Sequence, residues 1–87
     1  MKYKYEALET HLRSLSADKS EITLTFAEVE SIIEAPLPSS HLDHSAWWEN
    51  QKDTAGRLQA RAWMSAGFKV DEFKQDKNSG WVRFVRQ

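Results

Sequence analysis

The chain has no cysteine, so disulfide staples, thiolate zinc sites and thiol catalysis are excluded together. Three glycines and two prolines in 87 residues are too few for a low-complexity or collagen-like polypeptide. No stretch approaches the ~18–20 consecutive apolar residues of a membrane span, and the opening MKYKYEALETH lacks the apolar run of a secretory leader. A cytoplasmic location with no membrane partner is therefore expected. A G-x-S-x-G elbow, a glycine-rich phosphate loop and a recognisable pair of catalytic carboxylates are all missing, and the chain is short for enclosing a substrate. The sequence predicts no enzyme, no catalytic residue and no cofactor.

What remains is 40% hydrophobic and 29% charged, the balance of one soluble domain spanning residues 1–87. A domain of this size buries only about 60–65% of its unfolded surface. Its four Trp, four Phe and two Tyr must therefore supply much of the core. Net charge is −1, but residues 1–44 carry four basic against eight acidic side chains, and residues 45–87 carry eight against five. An acidic front and a basic back allow contact with an anionic partner on one side.

Along the chain, Tyr5, Leu8, Leu12 and Leu15 fall on one side of a helix over 5–15. EITLTF alternates as a short strand over 21–24. Thr25 and Glu28 have the spacing of a capping box, with Leu24 placed to staple onto Val29. A second helix follows, burying Phe26, Val29, Ile32 and Ile33 and projecting Glu28, Glu30 and Glu34, until Pro36 and Pro38 stop it. Ser40 and Asp43 suggest a further cap, and a helical turn is expected around 44–50. Asp53 or Thr54 caps a third main helix over 55–66, closed by Gly67 in a left-handed conformation. FKVDEFKQ and WVRFVRQ then read as a hairpin around DKNSG, with Val82 and Phe84 on one face and Trp81, Arg83 and Val85 on the other.

Helix, strand, helix, turn, helix and terminal hairpin is the order of a winged helix, an α+β fold in which the third helix enters the major groove and the hairpin tip reaches the flanking backbone. The main alternative is an α+β domain whose hairpin lies flat on the helices. Arg57 and Arg61 are four apart and project from one helix face. With Asn50, Lys52 and Trp48 before that helix and Lys74, Lys77, Asn78 and Arg83 at the hairpin, they form the expected nucleic-acid-binding set. The competing role for the two arginines is ion pairing on a solvated face.

Adjacent tryptophans cannot share one helix face, so one of Trp47 and Trp48 is expected at a surface or cleft, where an aromatic cage is the alternative to a purely core role. Gln59 lies in the apolar arc of its helix and is expected to make a buried hydrogen bond. His41, Asp43 and His44 have metal-binding side chains but lack a fourth ligand, so exposed polar residues and no metal are expected. DNA is the expected partner. The alternative is a protein-interaction module, such as a phage-encoded inhibitor or adaptor subunit, steered by Glu28, Glu30 and Glu34.

The segments ITLTFAEVESII, HSAWWEN, QARAWMSAGF and WVRF also resemble a family of small uncharacterised bacterial and phage domains. Those domains have an ITFAEIE-like opening, an LP-S turn, a WW-x-N segment, QARAW, an AGW-like bend and a closing V-x-F strand. The resemblance spans about residues 22–84, with Phe68 standing where Trp is expected. It implies a single autonomous domain and carries no activity.

Overall fold

The apolar spacing of the first segment produces helix α1, Glu6–Arg13, which buries Leu8 and Leu12. The computed structural model describes residues 3–50 and 58–87, the side chain of Leu58 excepted. Helix α1 is shorter than the expected 5–15. Tyr5 sits at its N-cap, and Leu15 lies past its end, half-buried against the core. Strand β1, Glu21–Thr25, runs directly into helix α2, Phe26–Ile33.

The capping box forms as the sequence predicts. The Thr25 hydroxyl accepts from the Glu28 N–H at 3.0 Å, and the Thr25 N–H donates to the Glu28 carboxylate at 2.8 Å. Helix α2 ends before the prolines, at Glu34, whose φ of 55° is left-handed. Ile32, expected in the core, is only partly buried, whereas Val29 and Ile33 are buried. The sheet and α1 cover an arc of α2 that leaves Ile32 at its margin.

Two short elements follow, helix α3, Ser40–Asp43, and a 3-10 turn, Ser45–Trp48. Ser39 occupies the N-cap of α3 without a side-chain bond, so the expected cap at Ser40 does not form. Helix α4, Leu58–Ser65, is followed by Gly67 at φ 85°, the left-handed terminator read from the sequence. The expected first turn of this helix, with Asp53 and Thr54, lies outside the described residues. Strands β2, Phe68–Lys74, and β3, Trp81–Arg86, complete a three-stranded antiparallel sheet of order β1-β3-β2. The described architecture is thus α+β, four helices and one antiparallel sheet. No helix among the described residues is long and apolar enough to cross a membrane.

The core is an aromatic file. Phe26 stacks on Trp48 at 5.2 Å, Trp48 on Trp63 at 5.8 Å, and Trp63 meets Phe84 at 5.5 Å. Trp47 and Trp48 are both buried, at 9% and 1% exposure, which corrects the expectation that one of them reaches the surface. In the tight 3-10 turn the adjacent indoles diverge, and Trp47 turns edge-on to Tyr5 while Trp48 enters the file. Three of the four tryptophans are therefore core rather than cage, and Trp81 is half-buried on the outer face of the sheet.

Gly80 closes the hairpin against α2. Its carbonyl accepts from the Phe26 N–H at 3.0 Å, and a Cβ here would penetrate both the Asp76 carbonyl and the Phe26 ring. Gly80→Ala is expected to destabilise the domain by about 2–3 kcal/mol through overpacking against backbone. A urea midpoint equal to wild type would contradict this placement.

Candidate nucleic-acid interface

On α4, Gln59, Ala60, Ala62 and Trp63 are buried, and Arg61 and Ser65 are exposed. Helical periodicity thus presents a narrow polar strip, as the sequence predicts for Arg61. Its continuation through Arg57, and the position of Lys52, lie outside the described residues. The Arg61 guanidinium stands 5.1 Å from the centre of the Tyr3 ring. Tyr3 in turn donates to Glu9 at 2.5 Å, and Glu9 accepts from Arg13 at 2.9 Å. Arg13 also donates to the Ser65 carbonyl at 2.6 Å, fastening α1 to the end of α4.

Burial raises the Tyr3 hydroxyl pKa well above its ordinary value, helped by the adjacent Glu9 carboxylate. Partial burial pushes the Glu9 pKa up, but the hydrogen bonds from Tyr3 and Arg13 and the charges of Arg13 and Arg61 outweigh it and hold the carboxyl below its usual range. Each shift has a linkage sign. Glu9 contributes stability above its unfolded pKa, ~4.3, and this is lost as pH falls through the lower folded value. Tyr3 contributes stability below its unfolded pKa, ~10, and this is lost as pH rises. Tyr3→Phe is expected to raise the Glu9 pKa and flatten the alkaline limb of the stability profile. A Glu9 carboxyl titrating at the same pH in both proteins would contradict the contact.

At the other cluster, Asp76 organises the hairpin turn by accepting from the Asn78 N–H at 2.9 Å and the Ser79 N–H at 3.2 Å. These backbone donors lower its pKa, and they leave Lys77 and Asn78 displayed at the tip with exposed Lys74 beside them. Thr25, Trp81 and Lys74 form one row across the sheet, so the tip sits just beyond the three-stranded region.

Other members of the expected set, buried Trp48 and exposed Asn50, spend their hydrogen bonds on the protein itself. Trp48 presents no surface, and its indole N–H donates to the His41 carbonyl at 3.0 Å. The Asn50 side chain acts as an extra strand residue, accepting from the Val70 N–H at 2.7 Å and donating to the Val70 carbonyl at 2.9 Å. Its oxygen also accepts from the Trp63 indole at 3.0 Å. Gln59 donates to the Trp47 carbonyl at 3.3 Å, the buried bond expected for it. The WW-x-N and QARAW segments are therefore one polar and aromatic lock.

Arg83 is likewise engaged. An irregularity in β2 between Val70 and Glu72 turns adjacent acids toward it, with Asp71 at 3.1 Å and Glu72 in direct contact. Arg86 donates to the Lys19 and Ser16 carbonyls at 3.1 and 3.0 Å. Its sequence pattern reveals neither partner, because both lie at the opposite end of the chain.

Arg61 and the hairpin tip do not form one patch in the described residues. Tyr3, beneath Arg61, lines a groove with Ile33 and Glu34 at the C-terminal end of α2, and Lys77 and Asn78 border a cleft at its N-terminal end. An eight-residue helix separates them by about 12 Å. That cleft, about 440 Å³, lies between the start of α2, helix α3 and the hairpin turn. It contains a residue the sequence reading placed wrongly. His41, expected among exposed polar side chains, is 8% exposed and packs edge-on to Phe26 at 4.9 Å. His44 and Asp43 are exposed, and no group of three or more potential metal ligands occurs among the described residues.

The chain belongs to the family described as a domain of unknown function, DUF7662, whose family model matches residues 5–84. The match takes in all of the described elements except the last residues of β3. Comparison with curated proteins and with solved structures gives no significant match.

Proposed function

We propose that this domain is a small nucleic-acid-binding module of winged-helix type. The observation that carries the reading is connectivity: α1, β1, α2, two short elements, α4, β2 and β3, with β3 between β1 and β2 in the sheet. That order places a helix with an exposed polar strip immediately before a hairpin. The cations available for phosphate are Arg61 on the strip and Lys74, Lys77 and Lys69 on the hairpin, all exposed. Arg83, paired with carboxylates, contributes position rather than free charge, and Arg86 is tied to backbone carbonyls that leave its charge uncompensated.

The test is binding of labelled duplex DNA across a salt series. Wild type is expected to bind with a steep salt dependence, and Arg61→Ala/Lys74→Ala/Lys77→Ala is expected to flatten the slope by about one unit per cation removed. Equal affinity and slope for the two proteins would remove these residues from the site, and the absence of any binding would remove the function.

A protein-interaction role is the second reading, favoured by partly buried Ile22 and Ile32 lining a groove of about 410 Å³ between α1, α2 and β1. Its expected steering charges are mostly occupied. Glu28 serves the capping box and Glu30 accepts from the Leu37 N–H at 2.7 Å, which leaves Glu34 as the freely exposed carboxylate of the three.

A further inference from the structure

The cleft beside the hairpin turn has acceptors on one wall and a lysine on the other. On the helical wall, His41 Nδ1 lies 2.6 Å from the Pro38 carbonyl. A carbonyl oxygen can only accept, so Nδ1 carries a proton, and in that tautomer Nε2 is the acceptor of the ring. No buried polar side-chain atom among the described residues lacks a partner, and Nε2 has none among those residues. It therefore reaches solvent, and the cleft is the opening that the ring lines. On the same wall, Glu30 spends one carboxylate oxygen on the Leu37 N–H and keeps the other.

The opposite wall is the hairpin turn, lined by Lys77, Asn78 and Ser79: the Lys77 ammonium can only donate, the Asn78 amide can donate or accept, and the Ser79 hydroxyl serves the Asp76 carboxylate. Leu42 and Gly80 also line the cleft. The walls are braced rather than loose. Phe26 N–H binds the Gly80 carbonyl at 3.0 Å, and Gln75 donates to the His41 and His44 carbonyls at 2.9 and 3.1 Å.

We propose that this cleft binds a nucleotide, its base amino group donating to His41 Nε2 and Glu30 and its phosphate held by Lys77 and Asn78. Acceptors on one wall and the Lys77 ammonium with the Asn78 amide on the other, across a cleft of about 440 Å³, match a ligand with an amino group at one end and an anion at the other. Adenine, cytosine and guanine carry such an amino group, and uracil does not. The nucleotide is either free or an unpaired residue of a nucleic acid. Only the second source rests on the interface proposed above.

The test is calorimetric titration of the full-length chain with AMP, CMP, GMP and UMP, and with a single-stranded oligonucleotide. At least one amino-bearing nucleotide is expected to bind about tenfold more tightly than UMP, whose single base N–H can serve only one of the two acceptors. Glu30→Gln retains an oxygen for Leu37 but replaces the free acceptor by a donor, and it is expected to erase most of that preference. Lys77→Ala, on an exposed turn, is expected to weaken all four alike.

The inference is overturned if no mononucleotide binds, if UMP binds as well as the others, or if both variants behave as wild type. Binding of free amino acids in place of nucleotides also overturns it. Duplex binding without nucleotide binding would overturn this inference alone, and nucleotide binding without duplex binding would overturn the interface reading alone. Tighter binding of the oligonucleotide than of the mononucleotide would assign the ligand to a nucleic acid.

Discussion

Trp48→Ala is expected to leave little of this protein folded. Trp48 is the middle of the aromatic file, 1% exposed, with Phe26 on one face and Trp63 on the other. Its truncation opens a cavity that two flanking rings cannot both collapse into, and it strands the His41 carbonyl with Gln75 as its remaining side-chain donor. A buried Trp→Ala change costs about 3–5 kcal/mol. A domain of this length has roughly 4–13 kcal/mol in total, at ~0.05–0.15 kcal/mol per residue. Urea unfolding followed by tryptophan fluorescence is expected to show a loss of most of the stability. A variant that unfolds within about 1 kcal/mol of wild type would contradict the file as the centre of the core.

The second large effect is expected at Asn50. Asn50→Ala removes three hydrogen bonds at once and leaves the Trp63 indole N–H without its acceptor in a 0%-exposed residue. The cost is expected to be about 2–4 kcal/mol, dominated by that stranded donor, since the edge of β2 can recover water. Asn50→Asp keeps the acceptor for Trp63 and Val70 N–H but sets a second oxygen against the Val70 carbonyl. It is expected to fall between alanine and wild type. An alanine variant as stable as wild type would show that Asn50 is not part of the lock.

These two positions mark the limit of what the sequence discloses. Local devices were legible because a few adjacent residues determine them: the Thr25 and Glu28 capping box, Gly67 as a terminator, and the alternation that puts Val82 and Phe84 inward. The order of elements was legible for the same reason. What escaped depends on contacts between distant segments. Adjacent Trp47 and Trp48 both reach the core only because the 3-10 turn sits between α2 and α4. Asn50 looks like a surface amide until β2 is placed twenty residues away, where it completes the strand edge. Arg83 reads as a free cation until the irregularity at Asp71 brings two acids to it. His41 gave no signal beyond its metal-binding side chain, since its tautomer is set by the Pro38 carbonyl and its burial by Phe26 and Trp47.

The division between free and committed cations also bears directly on function. A reading from composition treats the basic back half as one anion-binding surface. The packed structure engages Arg83 with carboxylates and Arg86 with carbonyls, and it leaves Lys74 and Lys77 exposed. A guanidinium neutralised by carboxylates, as that of Arg83 is, releases no counterions from a nucleic acid, whereas exposed lysines do.

The most direct measurement of this account is therefore the salt slope of duplex DNA binding for Lys74→Ala/Lys77→Ala beside that for Arg83→Ala, with folding checked by circular dichroism. The account predicts that the lysine pair flattens the slope by about two units while Arg83→Ala leaves it unchanged. A slope lowered by Arg83→Ala and untouched by the lysine pair would contradict it.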